Sequence, residues 1–371
     1  MFSLIITVDY ELPAGGRGDV RRHMIDPVNS LQDVCEASGA KLTVMVEIGE
    51  LWAFERAVNQ GYKRTLGYDP AGAIRAQLIE LIRRGHDVQL HLHPQWINAL
   101  WDGRRWLLDY AHYFLTDLLD PDMATFLRRG REDLERLLQP GSPHYRCVGF
   151  RAGNWNTHPA QRYLGALRAA GFESDTSVFK WGLASSPFAR FDYRQAYSNV
   201  LAWYAREDDI NVASGGPGIL EVPITAQLVP FTTLLSLRRA LVMCKLLYEE
   251  RAAREGVRRV RGWTDPLGSA VTGRSWIRTI FGRSPCKLDF CKLTAKDLLR
   301  IVEDLLDAYL DRANTVPAPL VLIGHSKHVG AHRNLATFLE RIRMSLSDRI
   351  NFSTYRAFIR AYKTTFCEVL T

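Results

Sequence analysis

The sequence predicts an α/β protein built on a parallel sheet or barrel. Three observations lead there. Short apolar, β-branched runs alternate with amphipathic helical stretches along the chain. No run of apolar residues reaches the length that a membrane-spanning helix needs. Chemically versatile side chains gather where the apolar runs end, the edge at which parallel α/β barrels carry their chemistry.

The elements follow in order. The chain starts directly on a strand, FSLIITVD, and DPVNSLQDVCEASG then reads as a helix with Pro27 early and Gly39 at its end. KLTVMVEI is a second strand. DPAGAIRAQLIELIRRGH is an amphipathic helix with Ile74, Leu78 and Leu81 on one face and Gly85 as its stop. DVQLHLH is a strand, and LTDLLDPDMATFLRRGREDLERLL is helical with a break near Pro121. CVGFRAGNW is a strand entering a loop, HPAQRYLGALRAAGF a helix, and ESDTSV and GILEVPIT short strands. LTAKDLLRIVEDLLDAYLDR is a long helix with Thr294 as its N-cap, and PLVLIGHSKH is the last clear strand. Residues 331–371 read as one or two helices without a motif.

Composition narrows the class. A chain of 371 residues with 47% hydrophobic and 24% charged content fits a soluble globular protein in one enlarged domain or two. The start has neither a basic leader nor a cleavage site, so the cytoplasm is expected, extending to the inner face of a membrane. Cys35, Cys147, Cys244, Cys286, Cys291 and Cys367 form no CxxC and read as reduced thiols. The net charge of +8 equals the excess in the segment Ser236–Lys287, which holds 12 Lys/Arg against 4 Asp/Glu. That segment suits an anionic bilayer or a pyrophosphate-linked donor, and equally a solvated helical insertion. Nucleic acid is not an expected partner.

Five polar clusters stand at predicted strand ends: Asp9 and Glu11, His91 and His93, Arg151 and Asn154, Asp175 and Ser177, and His325. In HDVQLHLHPQW, His91 and His93 are two apart, so on a strand both imidazoles face one side and can reach one metal ion. Alone, such a pair is more often ordinary histidines near a turn, and His86 reads as structural. Asp9 and Glu11 repeat the spacing, offering a ligand and a base; strand-end solvation is the plainer reading. Arg151 can orient a carboxylate or form a surface salt bridge. His325 can protonate a leaving group or be a satisfied loop histidine. Trp96, Trp101, Trp106, Trp155 and Trp181 lie in or just after these loops and suit sugar faces or a core.

Taken together, these segments resemble the five motifs of the polysaccharide deacetylases, carbohydrate esterase family four. Those motifs are Thr-Phe-Asp-Asp-Gly, His-Thr/Ser-x-x-His, Arg-x-Pro-Tyr, Asp-x-Ser-x-x-x-Trp and Leu-x-x-His. Here they correspond to TVDYE from Thr7, GHDVQLHLHPQW, RAGNW from Arg151, the Asp175/Ser177/Trp181 set, and LIGHSK from Leu322. The resemblance runs from residue 2 to about residue 330. It implies a distorted, incomplete (β/α)7-type barrel over 1–330, interrupted by a basic helical insertion at about 230–287. Residues 331–371 are then a helical extension packed on the same domain. Two departures stand out. Gln95 occupies the place of the family's second histidine, with His93 two residues earlier, and Tyr10 occupies that of the second aspartate, with Glu11 beside it. In these two places the chain resembles variant members with a DxE first motif and an HxHP second motif.

The resemblance further implies metal-assisted removal of an N-acetyl or similar acyl group from an amino sugar. Glu11, His91 and His93 would hold a divalent ion, zinc by preference; Asp9 would be the base, kept in place by Arg151, and His325 the acid. Asp175 would orient His325 or Arg151. Trp96, Asn154, Trp155, Ser177 and Trp181 would line the substrate site. A nucleotide-linked or lipid-linked glycan of bacterial surface-polysaccharide biosynthesis is the expected substrate. The alternatives are another C–N hydrolase on this scaffold, a glycosidase, or a glycan-binding relative with a degenerate metal site. A glycosidase would need two carboxylates flanking the bond, whereas these acids cluster with histidines.

Overall fold

A computed structural model describes residues 1–230, 283–313, 317–328 and 330–370, with isolated positions between 233 and 260. The expected basic insertion therefore lies largely outside the described residues. Parallel strands alternate with helices. The strands are β1 (Phe2–Tyr10), β2 (Leu42–Glu47), β3 (Asp87–Leu92), β4 (Gly149–Ala152), β5 (Ser174–Asp175), β6 (Trp203–Arg206), β7 (Asp209–Ala213), β8 (Leu220–Glu221) and β9 (Ala318–His325). The main helices are α1 (Asp26–Ala37), α2 (Ile48–Val58), α3 (Pro70–Arg83), α4 (Asp120–Leu138), α5 (Ala160–Ala169), α6 (Ala295–Ala313), α7 (Ala331–Ser345) and α8 (Tyr355–Leu370).

The sheet order is β7-β6-β8-β5-β4-β3-β2-β1-β9. From β9 through β1 to β8 every pairing is parallel, and β6 and β7 append an antiparallel edge. The sheet is curled. Asp9 on β1 and Arg151 on β4 lie three strand spacings apart, about 14 Å in a flat sheet, yet their side chains meet at 2.5 Å. Between β8 and β9 the gap is bridged by Thr225 and by Leu288–Phe290, whose backbones bond to Val321 and Ile323. The result is an incomplete α/β barrel.

Alternation sorts the two faces. The even residues of β1, β2 and β3, among them Leu4, Val8, Val44 and Leu90, join the large core under the outer helices. The odd residues face the hollow. There Ile5, Val321, Leu220 and Val222 form a second cluster with Tyr355, Phe358, Ile359 and Tyr362 of α8. The C-terminal helix thus lies against the concave side. Its first turn is tied down by Tyr355 N–H on Thr43 Oγ1 and Arg356 N–H on Asp87 Oδ2. Above this plug, toward the C-terminal strand ends, the concave face becomes polar.

Several elements differ from the sequence expectation. The ESDTSV strand shortens to Ser174–Asp175, because Ser177 N–H bonds to Asp175 Oδ2 and turns the chain. Helix α4 begins only at Asp120, with Pro121 in its first turn and a 3-10 turn at Leu115–Asp117 before it. Helix α2 follows β2 at once, capped by the Glu47 carboxylate on Gly49 N–H; the apolar run before it hid this start.

Candidate metal centre

β1, β3, β4 and β9 deliver the site. Asp9, His91 and Arg151 belong to the concave set: His91 is in register with Arg151, and Asp9 with His325. Glu11 and His93 stand just past the ends of β1 and β3 and keep the same side. Glu11 Oε2 lies 3.7 Å from His91 Nε2 and 3.1 Å from His93 Nε2. Glu11, His91 and His93 each offer a donor atom, all within 4.8 Å of one another. This group could hold a metal ion.

The supporting contacts fit that use. His91 Nδ1 is 2.8 Å from the Arg151 carbonyl, so Nδ1–H donates there and the Nε2 lone pair faces the group. His93 N–H donates to Glu47 Oε2 at 2.6 Å, and the Gln95 amide sits 3.3 Å from His93 Nδ1. Glu11 Oε1 is held at 2.6 Å by Lys327, which leaves Oε2 for the histidines. Burial works against a charge on Glu11, but Lys327 and the two imidazoles outweigh it and hold the carboxyl well below its ordinary range. Burial likewise opposes charge on both imidazoles; Glu11 and Asp9 overcome it at His91, raising its pKa, whereas at His93 burial prevails and lowers it.

Asp9 stands apart from this group. Its Oδ1 takes Arg151 Nη1 at 2.5 Å, and its Oδ2 lies 3.5 Å from His325 Nε2. Arg151 is wholly buried and also donates to Thr7 Oγ1 and the Thr176 carbonyl. Burial, with Lys327 adding to it, depresses the pKa of His325 well below its usual value. The other His325 nitrogen, Nδ1, is buried and has no hydrogen-bond partner among the described residues.

Other expected site residues are placed differently. Asp175 is in register with Phe150, not with Arg151, so it faces the outer layer. Its partners are Tyr163 of α5, at 2.5 Å, and Ser177. It therefore does not orient Arg151 or His325. Ser177 is fully buried, accepting from Ala152 N–H, and is no substrate contact. Trp96 is 4% exposed and packs on Phe54 and Trp106; it belongs to the core. Asn154 reaches His93 Nδ1 at 3.4 Å, and Trp155 turns its edge to His325. Trp181 neighbours Lys180 instead of the metal group.

The sequence reading passed over four groups. Glu47 and Glu50 are buried carboxylates beneath the metal group, both raised well above their usual range, first by burial and then by neighbouring acids. Lys327 holds Glu11. Lys287, from the strand Arg283–Lys287, sets its ammonium 3.0 Å from the centre of the Trp155 ring. The pair Glu47 and Glu50 in VEIGEL, also at a strand end, carried a usable signal; Lys287 carried none.

No protein-family model and no curated protein matches the chain. Solved structures with a similar chain path include a polysaccharide deacetylase candidate from Mycobacterium smegmatis, with 13% identity, 100% of this chain and 91% of that one covered, and a TM-score of 0.48. Puue Allantoinase matches at 12% identity, 98% and 91% coverage and a TM-score of 0.48. A 4-alpha-glucanotransferase from Thermococcus litoralis matches at 13% identity, 97% and 40% coverage and a TM-score of 0.48. Because these span different activities, function is read from the site itself.

Proposed function

We propose that the protein is a metal-dependent hydrolase that removes an N-acetyl or similar acyl group from an amino sugar. One observation supports this most: two imidazoles and a carboxylate converge on a single point beside a second, arginine-held carboxylate and a histidine. The chemistry that a bound ion, zinc in our reading, supplies there is polarisation of the acyl carbonyl and acidification of a water.

The chain's own residues do the rest. Asp9, fixed by Arg151, takes the proton of the attacking water. His325 stands 3.5 Å from Asp9 through Nε2 and has no partner at Nδ1 among the described residues, so it can take a proton on one side and give one to the leaving amine on the other. Its depressed pKa makes it neutral before the reaction, and thus the acceptor of that proton. Asn154 and Trp155 flank the group and suit the sugar.

The test is acid release from N-acetylated sugars, nucleotide-linked and lipid-linked, with and without chelator. Release that stops with chelator and returns with zinc is expected. Protein that retains no transition metal, and whose activity survives Asp9→Ala, would end this reading.

A further inference from the structure

A cavity of about 740 Å³ opens between the loop Gly15–Gly18 and the hairpin that carries Trp101 and Trp106. None of the proposed catalytic residues lines it. It is nevertheless built by the two loops that carry the metal group. Gly15 follows Glu11 by four residues, so the two Cα atoms are within about 14 Å. The hairpin begins at Leu100, after His93 and the 3-10 turn Pro94–Trp96, and Asp109 N–H bonds to the Gln95 carbonyl. The loop presses on the hairpin as closely as glycine allows: Gly16 has φ +69, and a Cβ there would lie 2.7 Å from Trp96 and 2.8 Å from Trp106.

The lining is cationic and aromatic. Arg17 of the loop and Arg104 of the hairpin both line the cavity, with Arg105 and Arg259, and among the described residues neither the Arg17 nor the Arg104 guanidinium has a carboxylate partner. The lining carboxylate Glu255 is 3.4 Å from Arg251. Trp101 packs against Tyr62 with ring centres 4.7 Å apart and the planes tilted by 55°, and among the described residues its indole N–H is buried without an acceptor. Guanidiniums from two separate segments suit a ligand with more than one negative charge. Aromatic rings beside them suit its organic portion.

We propose that this cavity binds the diphosphate of a sugar diphosphate, and so places the acylated sugar at the metal group next to it. The sugar's identity rests on the function proposed above; the diphosphate rests on the cavity alone. The diphosphate could come from a nucleotide or from a polyprenyl carrier.

Titration calorimetry with UDP, farnesyl diphosphate and inorganic pyrophosphate tests this on the full chain. Binding of one or more is expected, weakened at least about tenfold in Arg17→Ala/Arg104→Ala and unchanged in Glu11→Gln. Both arginines are exposed, and an unchanged melting curve would show that the double variant folds. Tighter binding of UDP than pyrophosphate points to a nucleotide source, and tighter binding of farnesyl diphosphate to a lipid source. Three results overturn the proposal: no binding at millimolar ligand, binding undiminished in the double variant, or loss in Glu11→Gln alone, which would put the anion on the metal group. If binding behaves as expected but no amino sugar is deacylated, the cavity assignment stands and the hydrolase reading falls.

Discussion

At the residue scale, the two residues that depart from the second motif take different places. His93 faces Glu11 at 3.1 Å, and Gln95, at the spacing where a histidine was expected, backs its other nitrogen. His93→Ala should therefore cut the metal-to-protein ratio severalfold, read by elemental analysis of purified protein. Arg151 is a different kind of residue. Its guanidinium is wholly buried against Asp9, so Arg151→Ala leaves a buried carboxylate without its partner. A loss of about 3–5 kcal/mol is expected from denaturant unfolding, whereas Asn154→Ala should cost about 1 kcal/mol, because Asn154 has φ +54, a left-handed conformation that alanine adopts poorly.

At the element scale, strand register decides which acids serve the site. Asp175 and Glu221 are in register on β5 and β8, both on the outer face. Burial raises both pKa values, and Glu221 rises well above the ordinary range, with Asp175 adding to the effect. Among the described residues Glu221 Oε2 has no hydrogen-bond partner. A carboxyl whose pKa is raised on folding binds its proton more tightly in the folded state. Its stability contribution is thus greatest below its unfolded value, near 4.5, and declines as pH rises toward the raised one. Glu221→Gln removes that decline. Its stability relative to the parent should improve between about pH 5 and pH 8, followed by thermal melts across that range.

At the scale of the whole molecule, α8 closes the bottom of the hollow whose top holds the site. Tyr355 is wholly buried, donates to the Asp175 carbonyl, and lies where a Cβ on Gly149 would come within 2.3 Å of its ring. Tyr355→Ala should cost about 3–5 kcal/mol, measured as a lowered denaturation midpoint. Because Gly149 stands two residues before Arg151 on β4, metal retention should fall with it. Among the described residues no helix is long and apolar enough to cross a membrane.

The strand-end chemistry was legible because it depends on local spacing. A two-residue repeat puts Asp9 with Glu11, and His91 with His93, on one side of any strand; the structure brings Glu11, His91 and His93 together and pairs Asp9 with Arg151 and His325 instead. The same local rule could not say which side Asp175 takes, because the register between β4 and β5 sets that. Nor could it show that Trp96 would sink into an aromatic core while Trp101 lines a cavity. Lys287 and Lys327 come from the far end of the chain to Trp155 and Glu11, contacts with no local signature. The sequence by itself therefore determined the alternation of strands and helices and the side on which Glu11, His91 and His93 point, since both follow from backbone periodicity. Only the tertiary structure decided which cations hold those groups, which acids face away, and what fills the barrel, because the curl of the sheet joins strands distant in sequence.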